Sequence, residues 1–185
     1  MRTHFDVFGL PRSHAVDVPA LEKQYRELSL QLHPDRVGPG DAKARLAAVE
    51  GTTALNEAFK TLKDPVRRAF YLLKLHGVDL DREDAGAQKD MPLEFLEEVM
   101  ELREALDEAI AAKDLAGAQA MAKDVAARKK AALTEAAESL RTLEAGEPGD
   151  GGQEQVRKAS HALGRVRYFT RFLEQVDAFE EEVLA

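Results

Sequence analysis

The sequence contains no cysteine. That excludes disulfides, thiolate metal sites, thiol nucleophiles and direct thiolate ligation of an iron–sulfur cluster. Tryptophan is missing as well, and aromatic residues make up only 6% of the chain. No run approaches the roughly 18 apolar residues of a membrane span. The N-terminus, MRTHFDVFGLP, has neither an apolar signal core nor an Arg/Ser-rich transit segment. A soluble, cytoplasmic protein with no membrane partner is therefore expected. Catalytic signatures are also wanting: no HExxH, no Walker loop, no GxSxG and no GxGxxG. The five histidines, His4, His14, His33, His76 and His161, include no pair at i, i+4. No metal site, cofactor or catalytic residue is expected from this pattern.

What is present suits packed helices. The 185 residues are 44% hydrophobic and 32% charged, too apolar for a disordered chain and long enough for one large or two small domains. Alanine, leucine and glutamate are abundant, and all three favour helix. The net charge of -8 argues against nucleic acid as a partner, since phosphate contacts need a basic surface. The charge is unevenly spread: residues 1–77 carry 12 Lys and Arg against 9 Asp and Glu, residues 78–185 carry 14 against 25. A mildly basic part and a strongly acidic part point to two modules with different partners.

The spacing predicts a helix from Pro19 to Leu32, with Leu21, Tyr25, Leu28 and Leu32 on one face and Asp17 as its cap. Pro34 ends it, because the residue before a proline disfavours the helical region. After the Gly38-Pro39-Gly40 loop, Asp41 opens a second helix with the stripe Leu46, Val49, Thr53, Asn56, Phe59 and Leu62. Asp64-Pro65 starts a third, through Leu75, and Gly77 stops it. Residues 78–92 read as a linker. Beyond it, three longer helices are predicted: Leu93 to Lys113, with stripe Phe95, Val99, Leu102, Leu106 and Ile110; Asp114 to Glu144, with an alanine-rich stripe; and Glu154 to Leu184, with stripe Val156, Leu163, Val166, Leu173, Val176 and Val183. The stretch 145–153 (AGEPGDGGQ) is expected to be a flexible turn. No period-2 strand is found, so the fold class is all-α, an N-terminal helix pair followed by a C-terminal three-helix bundle.

One tripeptide stands out, His33-Pro34-Asp35, where the first long helix meets the Gly/Pro loop. Pro34 stiffens the exit and projects its two neighbours outward. The imidazole donates, accepts or stacks, and the carboxylate suits a partner's Arg fork. The bland reading, that both side chains merely cap helix ends, stands beside it on the residues alone. The surroundings shift the balance. FDVFGL, LEKQYRELSLQLHPDR and LNEAFKTLKDPVRRAFY, in this order, resemble a J-domain over residues 5–75. The resemblance implies that His33, Pro34 and Asp35 dock on the ATPase of a DnaK-type chaperone and stimulate ATP hydrolysis. Lys23, Arg26 and Arg36 would add attraction to an acidic surface.

Residues 68–80 (RAFYLLKLHGVDL) and 95–108 (FLEEVMELREALDE), with VRYF at 166–169, are similar to the HscB family, so the resemblance covers nearly the whole chain. It departs in the glycine-rich turn and at Tyr168; unlike ordinary J-domains, the helix before His33 keeps Lys23 and Arg26 but has Glu27 and Gln31. From periodicity alone, Leu96 and Met100 lie on a flank of their helix at i, i+4, with Glu97, Glu101, Glu104 and Glu108 around them. An apolar pair rimmed by acids is the anatomy of a small protein-binding surface. Tyr168 and Phe172 are expected to form a second stripe extending it, although these residues also suit a widened core.

The resemblance implies that Leu96, Glu97, Met100, Glu101, Arg103, Glu104, Glu108 and Tyr168 hold an IscU-type iron–sulfur scaffold protein, and that the partner of the J-domain (1–77) is an HscA/DnaK-type chaperone. The C-terminal domain would span 93–185. The expected function is that of a co-chaperone in iron–sulfur cluster assembly, not an enzyme. The alternatives are a J-domain adaptor for a different chaperone and client, a metal-dependent hydrolase built on His33 and Asp35, for which no third ligand is spaced, and a purely structural helical protein.

Overall fold

The computed structural model describes residues 2–32, 42–80, 91–146 and 150–184. Among them every regular element is a helix: α1 (His4–Phe8), α2 (Val18–Gln31), α3 (Ala42–Lys63), α4 (Pro65–Leu75), α5 (Leu93–Ala112), α6 (Leu115–Glu144) and α7 (Asp150–Leu184). They form two compact units, Met1–Leu75 and His76–Ala185. No helix among the described residues is long and apolar enough to cross a membrane.

In the N-terminal unit, α1 is a five-residue helix that periodicity is too short to reveal. Its stability is local: Thr3 and Asp6 form a capping box, with Thr3 N–H donating to Asp6 at 2.7 Å, and Gly9 closes it at φ 61°. It buries Phe5 and Phe8 fully. Asp17 accepts from Ala20 N–H at 3.0 Å and caps α2, with Pro19 in the first turn where its missing donor is harmless. Asp64 does the same for α4 through Arg67 N–H at 2.8 Å.

The core of this unit is Phe5, Phe8, Leu21, Leu55, Ala58, Leu62, Ala69, Leu72 and Leu73. The expected α3 stripe is thus corrected. Leu46 and Val49 are exposed, and Leu55, Ala58 and Leu62 face inward. At 100° per residue, Leu46 and Leu62 stand about 160° apart, so the expected stripe, mostly of three-residue steps, winds around the helix instead of following one face.

In the C-terminal unit, α6 and α7 pack against each other along their lengths. The buried residues of α6 are mostly small, Ala118, Val125, Ala132, Ala136 and Leu140, while α7 contributes Phe169, Phe172, Val176 and Phe179. Small residues facing large ones let two helix axes approach closely. Helix α5 closes the bundle with Phe95 and Leu106, and Phe95 meets Phe169 edge-on at 5.9 Å between centroids. The expected Ile110 is exposed, because Ala109 takes the inward position three residues after Leu106. Val183 is likewise exposed. Phe172 sits in the core and not on a surface stripe. Helix α7 begins at Asp150, four residues earlier than the glycines suggest.

The two ends of the expected linker pack on this same unit. Leu80 is buried, and its carbonyl accepts from Arg167 Nη1. Met91 lies against Gly164, where a Cβ would stand 3.2 Å from the Met91 sulfur. Residues 81–90 of that linker lie outside the described residues.

Candidate protein-docking surfaces

The first surface is the outward face of α2. Leu21, Tyr25, Leu28 and Leu32 turn inward, which leaves Lys23, Arg26 and Leu30 exposed at i, i+3, i+7 on the opposite side. Several contacts fix the helix against α3. The Tyr25 ring stacks on Phe59 at 4.0 Å, and its hydroxyl donates to Asn56 Oδ1 at 2.9 Å. Glu22 pairs with Lys63 at 2.9 Å, a bond that holds the Glu22 carboxyl below the usual range. At the far end, Thr52 Oγ1 lies 3.1 Å from the Leu32 carbonyl and 2.8 Å from that of Ala48, so it bridges α3 to the residue just before His33. His33, Pro34, Asp35 and Arg36 themselves lie outside the described residues.

Behind this face sits a clamp that the spacing of apolar residues gives no hint of. The Arg68 side chain is only 4% exposed, yet every arm of its guanidinium finds a carbonyl: Leu62 at 2.7 Å, His14 at 2.5 Å and Lys63 at 3.2 Å. Burial pushes its pKa down, with Asp64 opposing. A buried cation whose three nitrogens each donate to a carbonyl locks the end of α3 to the N-terminal segment. Tyr71 adds a second tie, accepting from His4 N–H at 3.0 Å while its ring stacks on the His4 imidazole at 4.3 Å.

The second surface is on α5. With Phe95, Leu106 and Ala109 inward, Leu96 is 41% exposed and Met100 62% exposed. Leu93, one turn earlier and 68% exposed, was no part of the expected pair. Glu97, Glu101, Glu104 and Glu108 are exposed along one flank and Arg103 on the other. Glu98 is different: it faces α6 and pairs with Arg128 at 2.5 Å, and Arg128 also holds Asp124 at 2.6 Å.

Tyr168 does not join this surface as a free ring. It is half-buried, edge-on to Phe95 at 5.9 Å, and its hydroxyl donates to the Val99 carbonyl at 2.9 Å. Burial raises its pKa, with the Arg103 charge opposing. It holds α5 from behind.

A cleft between α5, α6 and α7 is lined by Glu98, Glu135, Arg141, Lys158, His161 and Arg165, among others. Its charges are balanced and cross-linked, as by Arg165 and Glu135. Among the described residues no group of three His, Asp or Glu is placed to hold a metal.

Among the described residues, a charged face on α2 and an apolar row beside acids on α5 are the kinds of surface that proteins use to contact one another. Residues 3–71 match the DnaJ domain family, and residues 91–177 match the HSCB C-terminal oligomerisation domain. A co-chaperone HscB homolog of Burkholderia multivorans is 38% identical over 95% of this chain and 93% of its own length. The chain belongs to the HscB co-chaperone family. Among solved HscB structures, that from Vibrio cholerae superposes with a TM-score of 0.77 at 31% identity, covering 98% of this chain and 99% of its own. Human co-chaperone HscB gives 0.79 at 27% identity, covering 97% and 83%. These two solved HscB proteins share this chain's all-helical fold.

Proposed function

We propose that this HscB-family chain is a cytoplasmic adaptor that stimulates the ATPase of a DnaK/HscA-type chaperone and delivers an IscU-type iron–sulfur scaffold protein to it. The J-domain, residues 1–77, docks through His33, Pro34, Asp35 and Arg36, with Lys23 and Arg26 steering an acidic surface into place. The C-terminal domain, residues 93–185, holds the scaffold through Leu96, Glu97, Met100, Glu101, Arg103, Glu104 and Glu108. Tyr168 positions α5 beneath them. The linker at 78–92 joins the two, and binding both partners at once raises the local concentration of client at the chaperone. The adaptor has no catalytic group of its own.

The observation that carries the reading is the solvent-exposed Leu96–Met100 pair on the face of α5 turned away from its buried Phe95 and Leu106, edged by glutamates. Such exposure on a well-packed bundle marks an interaction site. The test is chaperone ATPase turnover with and without purified scaffold. Stimulation that exceeds the sum of the two separate effects is expected. Asp35→Asn should abolish the stimulation, while Leu96→Ala with Met100→Ala should remove only the scaffold-dependent part. An additive response, or normal stimulation by Asp35→Asn, would sink the proposal.

A further inference from the structure

Four of the nine large hydrophobic side chains that stand exposed among the described residues are on α5: Leu93, Leu96, Met100 and Ile110. The first three form a triangle on the outer face. Leu93 to Leu96 is three residues and Leu96 to Met100 four, so each of these pairs is adjacent on the helix surface, and Leu93 and Met100 lie on the same face two turns apart. Leu93 is the most exposed of the three, in the first turn directly after Pro92, and points opposite the core residues Phe95 and Leu106. It is absent from the bundle core, and covering it together with Leu96 and Met100 would remove a contiguous apolar patch from water.

The charges around the triangle are not symmetric. Glu97, Glu101, Glu104 and Glu108 follow one another at four, three and four residues. They make a single acidic strip about 16 Å long at 1.5 Å per residue. The other flank carries Arg103 and, four residues on, Asp107, a mixed pair with no net charge. A partner that covers the triangle therefore meets its net negative charge along the glutamate edge, which favours one direction along α5 for a basic rim.

We propose that Leu93 is the third apolar anchor of the α5 docking surface, and that the occupant is a protein presenting an apolar pocket with a one-sided basic edge. This rests on the reading that α5 holds the iron–sulfur scaffold. Because Leu93 is exposed, its truncation leaves the fold intact, and its effect on binding is separable from folding. The experiment is calorimetric titration of the full chain with purified IscU-type scaffold, using wild type, Leu96→Ala, Leu93→Ala and, as an outward control on α6, Ala126→Ser. Leu93→Ala is expected to weaken binding about five- to tenfold, the size of a moderate hot spot. Glu101→Lys should weaken it and reduce its salt dependence, whereas Ala126→Ser should not change it. If Leu96→Ala weakens binding and Leu93→Ala leaves it within twofold, the third anchor is wrong and the scaffold reading stands. If wild type does not bind the scaffold at all, the reading fails first and the inference with it.

Discussion

The two units of this chain are held together by different means. In the N-terminal unit, helices of five to 22 residues are tied by side chains that reach backbone groups: Arg68 to three carbonyls, Tyr71 to His4, and Gln24 Nε2 to the Phe8 carbonyl at 2.9 Å. In the C-terminal unit, helices of 20 to 35 residues bury continuous stripes, and polar ties between helices include surface ion pairs such as Arg128 with Glu98. Short helices offer little apolar surface each, so directional hydrogen bonds must fix their mutual geometry. Long helices obtain it from packing. The same contrast extends to the surfaces: a charged helix face flanks the expected chaperone-binding corner, and an apolar triangle on a long helix is the expected scaffold site.

The largest effect expected from this contrast is at Arg68. Arg68→Met leaves the carbonyls of Leu62, His14 and Lys63 without their donor and should cost about 3 kcal/mol or more. Hydrogen exchange on the full chain should show the loss in residues 1–75, with α6 and α7 unchanged. Equal loss in both units would mean that they are not separately stabilised. The counterpart in the other unit is Ala136→Leu. Alanine 136 is fully buried on α6, and three added carbons should cost about 1–3 kcal/mol by overpacking, read as a lower urea midpoint. A neutral result would show that the α6–α7 seam has slack, and the contrast would weaken.

The smallest effect is a pH dependence confined to the N-terminal unit. Burial holds the His4 pKa below its ordinary 6.5, although Glu57 opposes. The charged imidazole is disfavoured in the fold, so its contribution to stability is present above 6.5 and fades as pH falls through the lower folded value. Exchange protection around α1 should therefore drop on mild acidification, and His4→Gln should flatten that drop. An identical profile for the variant would remove His4 from the account.

The helices of the C-terminal half were legible because their stripes are long. Over 20 or more residues an error in one position, such as Ile110 in place of Ala109, does not change the assignment. Helix α3 shows the limit. Its inward face is Leu55, Ala58 and Leu62, but Leu46 and Val49 are as hydrophobic as any core residue, and only packing decides that they face out. The same holds for Phe172, which is indistinguishable by sequence from a surface aromatic next to Tyr168.

The amino-acid order alone determined the all-helical class and the caps at Asp17 and Asp64, because each depends on residues within a turn or two of one another. Which leucines face water, where Tyr168 spends its hydroxyl, and that a lone arginine binds three carbonyls were decided by the tertiary structure. Those outcomes depend on which groups distant in the chain come within a few ångströms, and no local pattern carries that distance.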